Sequence, residues 1–393
     1  MTVKTMRAID RFAGVPLCWI AGLLNRVLRR SHFQLPSSPR TVLVIKFFGM
    51  GSVLLSTSFL SLMLQRLPGV RIVYLTFSSN RDVLQLSGLP VEIITISDSS
   101  LSSFMASTIL AIRWLRAEAI DVVFDLEFFS KYSTLLSVLS GARSRVGFDL
   151  PVWWRRSNLT NPVALEHSAH VTRLFLRQLQ ALGIQHAGTT GNIELAASAQ
   201  DKASMERKLG LQGSSSEVIC VNINAGETSL ERRWRPHRFV EVAVELARQD
   251  PQRRIYFIGD SRERRYVEAA LRSVEHRSEQ LRNCSGDLSL GELVALFQRS
   301  SLLITNDSGP MHLAAAAKIR VVALFGPESP VFYGPAGNVK ALYKALSCSP
   351  CLNIYNAKQF TCPYNTRCME EISTQEVLAA VESLLPSARA SER

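Results

Sequence analysis

The sequence has no low-complexity tract and no short internal repeat, so neither a disordered chain nor a solenoid is expected. Acidic residues are few beside basic ones, 33 against 45, and the formal net charge is +12. The shortage is sharpest at the start. Residues 1–40 hold Lys4, Arg7, Arg11, Arg26, Arg29, Arg30 and Arg40 against the single acid Asp10, which places half of the excess in a tenth of the chain. Such an excess draws a protein to nucleic acid, to anionic lipid or to phosphorylated substrates. Charge alone speaks for nucleic acid, and that partner is not expected. The same segment lacks a membrane span: FAGVPLCWIAGLL, Phe12 to Leu24, is thirteen residues without a charge, where about 20 are needed. It also lacks the small-residue cleavage site that would follow the apolar run of a signal peptide.

What the segment does hold is a helical pattern. Pro16 suits a first helical position; Leu17, Ile20, Leu24, Val27 and Leu28 then share one face, while Asn25, Arg26, Arg29 and Arg30 mark the other. Two readings fit the pattern equally: an interfacial helix lying on a membrane, and a helix packed on the protein's own surface. The expectation carried forward is a cytoplasmic protein, peripheral on the inner membrane, whose residues 1–40 form a basic amphipathic membrane-associating segment and linker.

Hydrophobic residues make up 47% of the 393 and charged residues 20%, enough apolar surface for two domains. After the linker HFQLPSSPR come apolar runs at 41–47, 70–77, 91–96 and 121–126, alternating with helical stretches such as SVLLSTSFLSLMLQRL. The text turns polar and small around 190–215. A second set of runs then begins at 216–224, 253–259, 301–307 and 320–326. Alternation of this kind predicts two α/β, doubly wound, Rossmann-like domains, at 41–195 and 196–393, with binding sites at the carboxyl ends of their strands, facing a shared cleft.

TNDSGPMHLAAAAKIRVVALFGPESPVFYGP, Thr305 to Pro335, is the sharpest motif. A strand ends at Thr305, polar residues make the turn, Gly309 permits close backbone approach, and Pro310 opens a helix. A helix amino terminus with free amides suits a pyrophosphate, and a well-capped helix that binds nothing would look the same. Residues 283–330, NCSGDLSLGELVALFQRSSLLITNDSGPMHLAAAAKIRVVALFGPESP, resemble the signature of glycosyltransferase family 9, the bacterial heptosyltransferases of lipopolysaccharide synthesis, and VLVIKFFGMGSVLL resembles that family's amino-terminal glycine loop. The likeness runs over 41 to about 385.

The resemblance implies a GT-B architecture, with an acceptor on the first domain and a nucleotide-sugar donor, typically ADP-heptose, on the second. It implies inverting, metal-independent sugar transfer to a lipopolysaccharide-type glycolipid or a cell-surface polysaccharide precursor, with no cofactor required for catalysis. In that reading the amides of Ser308, Gly309 and Met311 meet the phosphates, Asp307 meets the donor sugar, and His312 either touches ligand or packs in its helix. ERRWRPHRF, Glu231 to Phe239, resembles the family's basic-Trp-Pro segment; either Arg232 or Arg233 is the counterpart, and Arg233 is favoured as the cation on the leaving group. Glu263 is similar to an acid that holds the nucleotide's ribose. On the acceptor side the resemblance points to Gly49 and Gly51 of the glycine loop and to His170 and Arg173 of LEHSAHVTR. Arg143, Arg145, Arg155 and Arg156 would suit a phosphorylated lipid, or a solvated face.

Two departures from the family's pattern stand out. Where the glycine loop usually carries an Asp thought to be the catalytic base, this chain has Ser52, and a serine hydroxyl is too weak a base to act unaided near neutral pH. VVFDLEFFSKYS, in turn, has Glu127 where the family usually has a neutral residue. A base relocated to Glu127, with Ser52 orienting the acceptor, is the expectation; a salt-bridged or surface carboxylate is the other reading, and Asp125 is the fallback.

Four of the seven cysteines, Cys348, Cys351, Cys362 and Cys368, fall within the loop 348–368. Their spacing allows a structural zinc, although the second pair is not CxxC; reduced thiols packed in a loop are the other reading. Rival functions are a catalytically silent member of the family that binds a nucleotide-sugar or a lipid, and a GT-B nucleotide-sugar epimerase. A Rossmann dehydrogenase fits less well, because GMGS lacks the third glycine and no acid ends VRIVYLTF.

Overall fold

The computed structural model describes residues 10, 12, 14–27, 35, 36, 38–166, 168–185, 194–226, 229–273, 279–353 and 361–385. The chain divides into two compact units, Met1–Ile193 and Glu194–Arg393. The division falls where the sequence turns polar and small.

The first unit is built on β1 (Thr41–Ile45), β2 (Arg71–Phe77), β3 (Glu92–Ile96), β4 (Val122–Asp125), β5 (Ser144–Asp149) and β6 (Asn161–Ala164). All pair in parallel, in the order β3-β2-β1-β4-β5-β6. β1 and β4 are buried along nearly their whole length, as continuous apolar strands covered on both faces by helices must be. Chain order reverses between β1 and β4, so the topological switch point lies at their carboxyl ends.

The second unit repeats the plan with β7 (Val218–Asn222), β8 (Arg254–Phe257), β9 (Leu281–Asn283), β10 (Leu302–Asn306), β11 (Arg320–Phe325) and β12 (Val339–Tyr343). The order is β12-β11-β10-β7-β8-β9, again all parallel, with the switch point between β7 and β10. One core joins Ile219, Val221, Ile255, Phe257, Leu302 and Ile304 to the helix Pro236–Gln249, whose inner face is Phe239, Val240, Ala243 and Ala247. The sequence runs read as strands are all present. β5, β6, β9 and β12 are additional to them.

The helix Gly14–Val27 corrects part of the amphipathic expectation. It does pack on the protein's own surface, but through Gly14, Cys18, Gly22 and Asn25, while Leu17, Ile20, Leu24 and Val27 remain exposed. Asn25, assigned to the polar outer face, is buried and donates from Nδ2 to Asn158 Oδ1 at 3.0 Å. Leu28, Arg29 and Arg30 lie outside the described residues. Among the described residues no helix is long and apolar enough to cross a membrane.

Candidate functional site

In the first unit the switch point carries the glycine loop. Gly49 adopts φ +83, a conformation open chiefly to glycine, and its carbonyl accepts from the amide of Val53 at 2.9 Å, starting the helix Met50–Arg66. Gly51 is buried in the first turn and Ser52 beside it is half-buried.

The loop before Gly49 is held by Glu127, which follows β4. A single oxygen, Oε1, accepts from Lys46 Nζ at 2.9 Å and from the amides of Phe47 and Phe48 at 2.7 and 2.9 Å. Lys46 Nζ also donates to the Phe48 carbonyl at 2.7 Å. Glu127 is therefore a salt-bridged carboxylate, 5% exposed, that ties β4 to β1. Burial alone would raise its pKa; the Lys46 charge and the two amides outweigh burial and hold it below the ordinary carboxylate range. It is ionised at neutral pH and a weaker base than a free glutamate.

Asp125 does not share this edge as an available group. Fully buried, it pairs with the equally buried Arg155 and accepts from Ser133 Oγ at 2.9 Å. Arg155 also donates to the Glu127 carbonyl at 2.8 Å. The suggestion that Arg155 serves a phosphorylated lipid is corrected accordingly, and so is that for Arg145, buried with Nε 2.8 Å from the Asn158 carbonyl. Beyond β6, His170 caps the helix Val171–Gln178 by accepting at Nδ1 from the amide of Thr172 at 3.3 Å, and Arg173 is exposed.

In the second unit, the switch point is closed by hydrogen bonds between the ends of β7 and β10. Asn222 Nδ2 donates to Thr305 Oγ1 and to Ser308 Oγ, each at 2.9 Å. Because the Ser308 hydroxyl is occupied there, it does not cap the helix Gly309–Ala316, whose first turn is left without a side-chain cap. The amide of Met311 already donates to the Ser308 carbonyl at 3.2 Å. His312 is buried in the same helix.

The basic-Trp-Pro segment is locked in place by Trp234, wholly buried, whose amide donates to Asn306 Oδ1 at 2.9 Å and whose Nε1 donates to the Ile372 carbonyl at 2.9 Å. The two arginines before Trp234 point in different directions. Arg232 reaches Asp307, Nη1 to Oδ2 at 3.2 Å, and donates to the Ala225 carbonyl at 2.7 Å. Arg233 points instead over the Tyr266 ring, 4.6 Å from its centroid, and is close enough to Glu263 to favour its charge. Glu263 Oε2 accepts from the amide of Asp260 at 3.0 Å, and burial, above all, raises its pKa.

Around these groups the sequence reading missed Asn224, Gly259, Ser285 and Glu328. A Cβ on Gly259 would lie 2.9 Å from Asn224 Nδ2, 3.0 Å from Glu263 Oε2 and 3.0 Å from Ser285 Oγ, so three polar groups from three neighbouring loops converge on bare backbone. Asn224 Oδ1, Arg232 Nε, Arg233 Nε and Ser285 Oγ are buried without a hydrogen-bond partner among the described residues. Orphaned polar atoms are costly, and these four belong to the loops that follow the strands of the second sheet. Glu328, buried just beyond β11, has its pKa pushed up to about 8, first by burial and then by the Asp307 charge. The signal available for these residues was the polar or glycine-bearing turn after each strand, NINAG, FIGD, NCSGD and FGPES.

Among the described residues no three metal-ligating side chains gather closely enough to hold a metal ion, and the four loop cysteines are free thiols. Burial, with the neighbouring thiols, raises Cys368 to about 11, so it is a protonated thiol packed beside Gly326.

Residues 110–360, more than half of the chain, match the family described as Glycosyltransferase family 9 (heptosyltransferase). Lipopolysaccharide heptosyltransferase 3 of Escherichia coli is 24% identical over 351 residues, 86% of this chain and 95% of that one. Lipooligosaccharide heptosyltransferase 2 of Campylobacter jejuni is 27% identical over 39% of this chain, and there the match spans about half of the relative, 47%. Among solved structures, a family 9 glycosyl transferase from Veillonella parvula superposes with a TM-score of 0.71 at 23% identity, over 90% of this chain and 99% of that one. The E. coli ADP-heptose lps heptosyltransferase II superposes at 0.70 and 22% identity, over 88% and 98%. These structures share the fold, two parallel six-stranded sheets each flanked by helices.

Proposed function

The chain belongs to glycosyltransferase family 9, and from that premise we propose that it moves a heptose-like sugar from a nucleotide-sugar, ADP-heptose in kind, to a hydroxyl of a lipopolysaccharide-type glycolipid, with inversion. The observation that carries the reading is the set of partnerless buried polar atoms on Asn224, Arg232, Arg233 and Ser285, in loops that follow the strands of the second sheet. A nucleoside diphosphate supplies what they lack: ribose hydroxyls for Asn224, Glu263 and Ser285, and phosphate oxygens for Arg232, Arg233 and the amides of Ser308 and Gly309.

In the reaction the acceptor oxygen forms a bond to the anomeric carbon as the bond from that carbon to the diphosphate oxygen breaks. Negative charge builds on the departing diphosphate, where Arg232 and the helix terminus at Gly309 stabilise it. The acceptor's proton goes to Glu127. Its Oε1 is held by Lys46 and two amides, so Oε2 is the receiving atom, and Ser52 and His170 orient the acceptor. The depressed pKa keeps the carboxylate in its receiving form. A cytoplasmic protein, peripheral on the inner membrane, would meet such a lipid-borne acceptor; the apolar outer face of Gly14–Val27 supports that placement.

The test is nucleotide release from a panel of ADP- and other nucleotide-sugars, with and without lipid extract. Release that needs both an ADP-sugar and lipid is expected. Donor binding without release would favour a silent binding module, and a new sugar isomer still attached to its nucleotide would favour an epimerase. In Glu127→Gln, turnover should fall by roughly a hundredfold or more with donor affinity kept; full turnover would remove Glu127 from the mechanism.

A further inference from the structure

We infer that two helices of the first unit, Gly14–Val27 and Leu101–Ala117, form a docking surface for an anionic lipid bilayer, with the first helix seated so that its large apolar side chains meet the lipid. The inference rests on the reading above that the acceptor is lipid-borne, and it adds the surface by which the protein would reach it.

The seating of the first helix is the reverse of ordinary amphipathic packing, in which large apolar residues turn inward. Here the inward positions are small or polar. A Cβ on Gly14 would lie 2.7 Å from Lys131 Cβ, and one on Gly22 would lie 2.2 Å from Ser157 Oγ, so the two glycines let the helix sink against its neighbours. Cys18 Sγ reaches the Lys131 carbonyl at 3.5 Å, Asn158 Nδ2 donates to the Cys18 carbonyl at 2.9 Å, and Trp19 stacks on Trp153 at 4.0 Å. Polar bonds and close contact thus hold the helix, while Leu17, Ile20, Leu23 and Leu24 are each at least half exposed. Leaving them in water is unfavourable by roughly 25 cal/mol for each Å² of apolar surface.

A second exposed set stands nearby. Leu101–Ala117 buries Phe104, Ala111 and Leu115 and exposes Met105 and Leu110. Both helices pack on the helix Lys131–Leu139. Tyr132 of that helix bonds to Leu101–Ala117 and to a residue ahead of Gly14: its hydroxyl is 2.6 Å from Thr108 Oγ1, and its amide donates to Asp10 Oδ1 at 3.0 Å. Of the fourteen large hydrophobic residues exposed among the described ones, eleven lie at Phe12, on Gly14–Val27 or on Leu101–Ala117. Clustering of this kind marks an interaction face.

Charge selects the occupant. Neither helix contains an Asp or Glu; their charges are Arg26, Arg113 and Arg116, and residues 1–40 carry a formal charge of +6. A second copy would bring the same cations against them. An anionic headgroup layer over an acyl boundary complements both features, cations for the headgroups and leucines for the boundary.

Flotation of the full chain with vesicles of phosphatidylglycerol and phosphatidylcholine, against phosphatidylcholine alone, tests this. Binding to the anionic vesicles is expected, weaker with the neutral ones and at high salt. The pairs Ile20→Asp with Leu24→Asp, and Met105→Asp with Leu110→Asp, should each lower the partition coefficient by roughly tenfold or more. ADP binding and the melting temperature, measured on the same samples, should stay at wild-type values, which separates the surface from the proposed reaction: a wild type that floats but binds no ADP would sink the reaction and leave the surface. Quenching of wild-type tryptophan fluorescence by brominated lipid, reduced in Trp19→Phe, reads the same contact in the wild type itself. Wild type remaining in the soluble fraction, variants floating as well as wild type, or a wild-type dimer that the variants convert to monomer would each overturn the inference.

Discussion

Lys46 and Glu127 join the carboxyl ends of β1 and β4 in a buried ion pair, Nζ 2.9 Å from Oε1, and the same oxygen takes the amides of Phe47 and Phe48. The residue proposed to receive the acceptor's proton is therefore also the residue that shapes the loop leading to Ser52. Both ends of the pair lose their hydration on folding, and each is tolerated because the other is present.

Removing the cation alone should expose that dependence. Lys46→Met leaves a buried carboxylate without its partner and should cost about 3–5 kcal/mol in urea unfolding. Because the folded pKa of Glu127 is depressed, its contribution is present above the ordinary glutamate range and is lost as pH falls through the lower folded value. Wild-type stability should decline on that acid limb more steeply than Lys46→Met. An unchanged unfolding midpoint in the variant would show that the pair contributes nothing to the fold.

The two arginines before Trp234 should separate by kinetics. Arg232 meets Asp307 beside the start of the helix Gly309–Ala316, whereas Arg233 lies over Tyr266. Arg232→Ala should lower turnover by roughly a hundredfold or more, as loss of a group stabilising developing charge does. Arg233→Ala should act chiefly on donor affinity, by roughly tenfold, the usual scale for losing one charge-assisted hydrogen bond. Steady-state kinetics with ADP as competing ligand distinguishes them, and equal effects on turnover would return the two residues to equivalence.

Glu328 gives a pH signature of the opposite sign from Glu127. Its folded pKa is raised to about 8 by burial and by Asp307, so its contribution to stability is present at low pH and is lost as pH rises through that value. Between about pH 5 and 8 the wild type should lose on the order of 1 kcal/mol or more for this group, and Glu328→Gln should flatten the slope. Ionisation would also place a second carboxylate beside Asp307 near the proposed diphosphate, so ADP affinity should fall above about pH 8 in the wild type only. Parallel pH profiles for the two proteins would count against the raised value.

What the sequence made legible follows from hydrophobicity. β1, β2, β4, β7, β10 and β11 are continuous apolar runs because helices cover both of their faces, and such runs are visible by eye. β6, β9 and β12 were not, because β6 contains Pro162 and lies at a sheet edge, β9 has only three residues, and β12 is an edge strand with exposed positions. β5 was obscured by Ser144 and by Arg145, the latter buried through hydrogen bonds that no hydropathy pattern reports. At the site, the loops were legible and the side-chain directions were not. The step from Arg232 to Arg233 changes the partner from Asp307 to Tyr266, and the burial that sets the pKa of Glu328 depends on elements far away in sequence.

The same limit explains the amino-terminal helix, where periodicity identified the apolar face but not the face that docks. Docking depends on the absence of side chains at Gly14 and Gly22, a packing property rather than a hydrophobic one. Gly22→Leu should therefore undock the helix: its first carbon would meet Ser157 and Trp153, and overpacking of this kind costs about 1–3 kcal/mol. The contacts at risk, Asn25 to Asn158 and Trp19 on Trp153, all lie between this helix and the segment 153–158. Limited proteolysis should then cut within 14–27 well before the rest of the first unit, with the main thermal transition little changed. Hydrogen exchange should show the same loss of protection confined to that helix. If Gly22→Leu resists cleavage like the wild type, the close approach at Gly22 is not what seats the helix.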